Sequence, residues 1–129
     1  MTHKASRYQW IMRSVMVSLV LALAMGGIAL AAEDAKFTAV EKDGAKVWDG
    51  GGTVDLKGRA EPLTLQVTNT LGADHGFSID SMKVQDVIKA GETKTITVPL
   101  ANIDASVSEH RVYCQLHPKH VAAKLTTTR

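Results

Sequence analysis

Alternation of apolar and polar residues is the clearest pattern in the second half of the chain. Apolar and polar positions alternate through residues 63–68, and residues 93–100 repeat the pattern with Ile96, Val98 and Leu100 on one side. A period of two is typical of a strand with one buried face. Shorter segments of strand composition are residues 37–40, 46–48, 53–56, 76–80, 111–114 and 124–128.

Turn residues separate these segments. The run Lys89-Ala90-Gly91-Glu92 predicts a turn between two strands, and Gly50-Gly51-Gly52 predicts a flexible break in the less regular region before residue 60. No segment after residue 32 shows helical periodicity. Several short strands with frequent turns indicate an all-β fold, a sandwich or a barrel.

The N-terminal segment has the composition of an export signal. Three basic residues (Lys4, Arg7 and Arg13) precede 19 uncharged residues, 14–32, which include the small-x-small motif Ala29-Leu30-Ala31. This pattern predicts a signal peptide over residues 1–32, cleaved after Ala31 or Ala32, followed by one domain over residues 33–129. The alternative is an uncleaved anchor, since 19 uncharged residues are just long enough to cross a bilayer. Either way, the domain is expected outside the cytoplasm, in the periplasm.

The charge balance of the domain excludes one class of partner. The whole chain has 15 Lys and Arg against 13 Asp and Glu, but three of the basic residues lie in the leader, which leaves 12 in residues 33–129. No basic patch remains that would indicate nucleic-acid binding. The domain has room for a single small core.

A lone cysteine is the first sign of chemistry. Cys114 has no second cysteine with which to form a disulfide, in a chain predicted to enter an oxidising compartment. It opens the sequence Cys114-x2-His117-x2-His120, which offers a thiolate and two imidazoles in one short loop, and His75 from a distant strand supplies a third imidazole. Thiolate with imidazole suits copper. The sequence therefore predicts one mononuclear copper ion held by His75, Cys114, His117 and His120.

These residues also carry a family resemblance. The loop Cys114-x2-His117-Pro118-x-His120 resembles the copper loop of cupredoxins, and its length matches that of amicyanin, where the pattern is Cys-x2-His-Pro-x-Met. The segment that begins at His75-Gly76-Phe77 resembles the one that brings the first histidine in bacterial cupredoxins, and residues 76–119 are similar to nitrosocyanin, a red copper protein. The resemblance implies a Greek-key β-sandwich or barrel of the cupredoxin type, with a type 1 copper ion.

The chain departs from these relatives at the ligands. Nitrosocyanin has a glutamate where this chain has His75, and its second loop histidine lies farther from the cysteine than His120 does. The axial methionine of blue copper proteins is absent, because Met82 is the only methionine after the leader and it follows the His75 segment. A binuclear copper A centre needs two cysteines and is excluded.

The roles of other residues near these motifs are also predicted, in some cases with two alternatives. Asn69 either bonds to the Cys114 loop or is an ordinary turn residue. His110 is predicted to be a surface histidine, because four residues of extended chain separate it from Cys114 by about 13 Å. Three residues either form an apolar collar around the metal or simply pack in the core: Phe77, Leu116 and Pro118.

The leading functional hypothesis is one-electron transfer with redox partner proteins. The sequence shows no general base, nucleophile pair or phosphate-binding loop, which favours a carrier over a hydrolytic enzyme. The alternatives are a nitrosocyanin-like red copper site that binds or converts a small molecule such as nitric oxide, copper delivery or storage, and a closed zinc site of one cysteine and three histidines. Contact with a membrane is expected only if the leader stays uncleaved.

Overall fold

The structure, a computed structural model, describes residues 32–129. It contains eight strands: β1 Ala35–Lys42, β2 Ala45–Asp55, β3 Leu63–Asn69, β4 His75–Ile79, β5 Val84–Ile88, β6 Thr93–Val98, β7 Glu109–Val112 and β8 Ala123–Thr128. Two 3-10 turns, Asp80–Met82 and Leu100–Asn102, are the helical segments of this part of the chain. The predicted all-β class is confirmed.

The predicted leader lies outside the described residues, apart from Ala32. Within residues 32–129, no helix is long and apolar enough to span a membrane. Residues Glu33–Arg129 form one compact unit.

The strands form two sheets. Six strands make a mixed sheet in the order β6-β3-β1-β2-β8-β7, in which β1 runs parallel to β3 and β2 parallel to β8. The hairpin β4-β5 makes the second sheet. A bridge between Ser78 of β4 and Tyr113, just after β7, joins the second sheet to the segment that leads into Cys114.

The core lies between the sheets and follows the predicted alternation. The inward residues Leu63, Leu65 and Val67 of β3 are fully buried, and the polar residues between them are only partly so. Three aromatic rings pack between the sheets: the Phe77 ring of β4 contacts the rings of Phe37 and Trp48 edge-on, with centroids 5.2 Å apart in both pairs. Each fully buried side chain of this size contributes about 1.5–3 kcal/mol to folding.

The glycine triplet is not a break between strands, so that prediction is wrong. Strand β2 runs through Gly50-Gly51-Gly52, whose φ angles are all positive, at 118°, 108° and 105°. A Cβ on Gly50 would collide with the carbonyl oxygen of Lys36 in β1, and a Cβ on Gly51 with that of Lys124 in β8. Glycine is required because β2 exchanges β1 for β8 as its partner where the backbones approach closely.

Candidate metal centre

Two successive turns shape the loop that carries three of the four predicted ligands. The N–H of His117 donates to the carbonyl of Cys114 at 3.3 Å, and the N–H of His120 donates to that of His117 at 3.0 Å. Turns that close every three residues place positions i and i+3 on the same side. Pro118 favours the second turn, because its fixed φ suits the position after the first residue. The Cys-x2-His-x2-His spacing therefore directs all three side chains one way.

The end of this loop is anchored to strand β2. The N–H of Val121 donates to the carbonyl of Lys46 at 3.0 Å, and the N–H of Trp48 donates to the carbonyl of Val121 at 3.2 Å. The loop is thus held at both ends, by the Ser78–Tyr113 bridge before Cys114 and by β2 after His120.

The remaining predicted ligand, His75, begins β4 and is buried, with 2% of its surface exposed. Its ring meets the Trp48 ring edge-on, with centroids 6.4 Å apart. On its other sides lie the rings of His117 and His120, at 5.6 Å and 4.8 Å between centroids. The loop histidines stack on each other at 4.6 Å.

The structure brings all four predicted residues together. One donor atom from each of His75, Cys114, His117 and His120 lies within 4.8 Å of the others. The Cys114 sulfur is 3.5 Å from Nδ1 of His117 and 4.0 Å from Nδ1 of His75. Donor atoms that share one ion with metal–sulfur and metal–nitrogen bonds of about 2.3 and 2.1 Å lie at most about 4.4 Å apart. The two sulfur–nitrogen distances meet this limit.

The surroundings of His75 and His120 favour their neutral imidazoles. Burial, followed by the charges of His120, His117 and Lys46, lowers the pKa of His75, although Asp74 opposes this. Burial also lowers the pKa of His120, and the charges of His117 and Lys46 add to the effect. A neutral imidazole keeps the lone pair that a metal needs.

The chemistry of the donor set fits a soft transition metal. Among the buried side-chain nitrogen and oxygen atoms of the described residues, Nε2 of His75 is the one without a hydrogen-bond partner. Its Nδ1 faces the sulfur rather than a protein oxygen. A neutral imidazole whose Nδ1 faces a sulfur keeps the lone pair of that nitrogen available to a metal ion. A thiolate with three imidazoles is a set that copper or zinc accepts.

Comparison with known proteins gives only distant structural similarity. No protein-family model matches the sequence, and neither does any curated protein. The fold is similar to a laccase from Pediococcus acidilactici Pa5930, with 13% identity over 72% of this chain and 25% of that chain, and a TM-score of 0.48. It is also similar to a multicopper oxidase from Pediococcus acidilactici, with 14% identity, 73% and 25% coverage, and a TM-score of 0.41. This chain spans about a quarter of the length of each.

His110 lies in the core, which corrects its prediction as a surface residue. It is completely buried in β7, opposite Leu125 of β8. Its Nδ1 lies 2.6 Å from the hydroxyl of Ser81 and its Nε2 2.9 Å from that of Thr127. The error arose because the distance from Cys114 excluded a ligand role but gave no information about which face of the sheet the side chain occupies.

Asn69 does not bond to the Cys114 loop. It is fully buried, its Nδ2 donates to the carbonyls of Ala73 (2.8 Å) and Ile88 (3.0 Å), and its Oδ1 accepts from the N–H of Leu71 at 3.0 Å. It is a turn residue that fixes the chain leading into His75.

The predicted apolar collar is divided between core and surface. Phe77 is fully buried, whereas Leu116 is 46% exposed and Pro118 is exposed. The loop therefore presents an apolar side chain to solvent beside His117, which is itself exposed.

Two residues that shape the site were missed from the sequence. Trp48 donates from Nε1 to the carbonyl of Gly76 at 2.9 Å and lies against His75. Gln115 lies across Gly76 and bonds to both strands of the β4-β5 hairpin. The only signal for Gln115 was its place next to Cys114, and the only signal for Trp48 was its being the one tryptophan after the leader.

Proposed function

We propose that this protein is an exported mononuclear copper protein of the cupredoxin type that transfers single electrons. The observation that carries the proposal is the convergence of one sulfur and three imidazole nitrogens within 4.8 Å of one another. Thiolate and imidazole together select copper over hard cations. The resemblance of the Cys114 loop to cupredoxin copper loops supports the same assignment.

In this proposal, Cys114, His75 and His117 hold the ion, and His120 supplies the fourth donor. When bound, copper supplies a one-electron couple between its two oxidation states. The protein contributes rigidity, because His75 belongs to β4 and packs against Trp48, and hydrogen bonds hold the loop at both ends. A preformed site changes little between oxidation states, which keeps the reorganisation cost of electron transfer low.

The exposed side of the loop supports exchange with redox partner proteins. His117 is exposed, and Leu116 beside it is 46% exposed. A partner that packs against Leu116 would approach the imidazole edge of His117 directly. We therefore propose His117 as the point of electron entry and exit.

Export is the second part of the proposal. The basic and apolar leader of residues 1–32 supports secretion to the periplasm, and retention in the membrane is the alternative. We expect the soluble form to begin near Ala32 or Glu33. Mass spectrometry of a periplasmic extract would identify its N-terminus, whereas full-length protein confined to the membrane fraction would show that the leader is an anchor.

The decisive experiment is a visible spectrum with metal titration. We expect the purified protein to bind one copper(II) ion and develop an intense thiolate-to-copper absorption band that a reductant bleaches and an oxidant restores. Tight binding of zinc with no copper-dependent colour would support the zinc alternative. Copper(I) binding without reversible oxidation would support copper delivery instead of electron transfer.

A small-molecule site is a second candidate, and a cleft beside the cluster favours it. A cavity of about 330 Å³ is lined by Arg111, Tyr113, Cys114, Gln115, Pro118 and His120. Space for several small molecules therefore adjoins two of the proposed ligands. Addition of nitric oxide to the copper-loaded protein tests this function: a saturable change of the visible spectrum would support it, and an unchanged spectrum would contradict it.

A further inference from the structure

The backbone of Gly76 lies between two of the proposed ligands. It directly follows His75, and its N–H donates to the sulfur of Cys114 at 3.2 Å. Its carbonyl accepts the indole N–H of Trp48 at 2.9 Å. Gly76 thus donates a backbone hydrogen bond to the sulfur, and the orientation of its N–H decides whether that bond forms.

Gly76 is a glycine for reasons of space. It lies outside the left-handed region of positive φ, so its backbone conformation does not require glycine. A Cβ at this position would collide with Oε1 and Cδ of Gln115 and lie 2.9 Å from the backbone nitrogen of Gln115. The Gln115 side chain therefore occupies the volume above the Gly76 backbone.

The amide of Gln115 is fixed at both of its ends. Its Oε1 accepts the hydroxyl hydrogen of Ser78 in β4 at 2.7 Å, and its Nε2 donates to the carbonyl of Asp86 in β5 at 2.8 Å. These two bonds tie the residue next to Cys114 across the hairpin that contains Gly76. Neither bond involves a proposed metal ligand.

We propose that Gln115 is a positioning residue that holds the Gly76 N–H on the sulfur of Cys114. A hydrogen bond to a metal-bound thiolate withdraws electron density from the sulfur and so tunes the potential of the site. This consequence for copper rests on the function proposed above, whereas the positioning itself does not require a metal.

The positioning role is tested first in the metal-free protein. In Gln115→Ala, we expect the amide hydrogen of Gly76 to exchange about tenfold faster by NMR, while the amides of β3 keep their protection. Gln115→Met preserves the length of the side chain but removes both of its hydrogen bonds, and it provides the same test if the alanine variant does not fold. Gln85→Ala removes the same group from an exposed position in β5 and is the matched control.

The copper-loaded protein provides the second readout. We expect Gln115→Ala and Gln115→Met to lower the reduction potential, shift the thiolate-to-copper band and weaken copper binding by about 10-fold to 100-fold. Ser78→Ala removes one of the two bonds that fix the amide and should shift each property in the same direction by less.

The two proposals fail in different ways. Exchange of the Gly76 amide that is the same in Gln115→Met and Gln85→Ala would overturn the positioning role, whatever the copper result. Faster exchange in Gln115→Met but not in Gln85→Ala would support that role even if neither the protein nor its variants bind copper. The absence of copper binding would overturn the copper function. Faster exchange with an unchanged potential and spectrum would overturn the tuning of copper.

Discussion

Two buried histidines in this domain differ in what satisfies their ring nitrogens. Both nitrogens of His110 have a hydroxyl within hydrogen-bond distance, Ser81 at 2.6 Å and Thr127 at 2.9 Å. His75 is equally enclosed, but its Nε2 has no partner within residues 32–129 and its Nδ1 faces the sulfur of Cys114 at 4.0 Å. Hydroxyl groups of the protein thus satisfy both nitrogens of His110, whereas Nδ1 of His75 faces a sulfur, where a metal ion could bind it.

This difference shows that burial alone does not identify a metal ligand. A structural histidine replaces its lost hydration with hydroxyl partners, as His110 does. In the cluster, one donor atom of each of three imidazoles lies within 4.8 Å of the others and of the Cys114 sulfur. Such an arrangement is reasonable when an ion completes it. Substitutions of Cys114 and His110 test whether the two regions differ in this way.

The largest expected effect is the loss of the visible absorption band without loss of the fold. We expect Cys114→Ala to abolish the thiolate-to-copper absorption completely, since the band requires the sulfur. The β-fold should persist, because the core rests on β3, β6 and the aromatic residues of both sheets. Visible absorption and far-ultraviolet circular dichroism measure the two properties, and an intense visible band in the variant would contradict the copper–thiolate site.

A substitution of His110 should have the opposite effect: it should lower the stability of the fold and leave the copper site unchanged. We expect His110→Ala to lower the free energy of unfolding by about 2–5 kcal/mol, because it leaves a cavity and two buried hydroxyls without their partner. The copper spectrum should not change. His117→Ala is the control: its exposed side chain should change metal-free stability by about 0.5 kcal/mol or less and weaken copper binding strongly. Urea titration compares the two, and similar metal-free stabilities would contradict the contrast between the regions.

The sequence predicted those features that depend on local pattern. Period-two alternation identified the inward side of β3, because each side chain in a half-buried strand reports its own face. The soft donors Cys114, His117 and His120 could be found together because one short loop contains them. His75, from a distant strand, was proposed as a third imidazole donor, and the resemblance of its segment to one in bacterial cupredoxins supported that choice.

Features that depend on packing between distant segments were not predictable. The glycine triplet resembles a flexible linker, since nothing local shows that β1 and β8 approach it from both sides. The burial of His110 depends on hydroxyls from Ser81 and Thr127, which are 29 and 17 residues away. The contact of Gln115 with Gly76 likewise depends on how the β4-β5 hairpin meets the loop.

A smaller, graded effect is expected at His120, where the chain departs from methionine-containing cupredoxins. An imidazole is a stronger donor than a thioether, so it should favour copper(II) and give a green-to-red protein of lower potential. His120→Met should therefore raise the reduction potential and move the spectrum toward blue. If both properties stay unchanged, His120 is not a ligand, and the small-molecule function gains support from the cleft that His120 lines.

The smallest expected effect is a pH dependence of stability that belongs to His110. Burial lowers its pKa below the ordinary value of 6.5; the negative charge of Asp104 opposes this shift and Arg129 adds to it. A histidine with a lowered pKa contributes stability above the unfolded value, and this contribution is lost as pH falls below about 6.5, because only the unfolded chain takes up the proton. His75 and His120 act in the same direction when no metal is bound.

The contribution of His110 is isolated by comparing the metal-free protein with its His110→Gln variant, in which this side chain does not titrate but stays polar. We expect the loss of unfolding free energy between pH 6.5 and pH 5 to be smaller in the variant, by up to about 1.4 kcal/mol per pH unit, the slope for one proton. Urea titrations at several pH values measure this slope, and equal slopes in the two proteins would mean that His110 is protonated in the folded state as readily as in the unfolded chain.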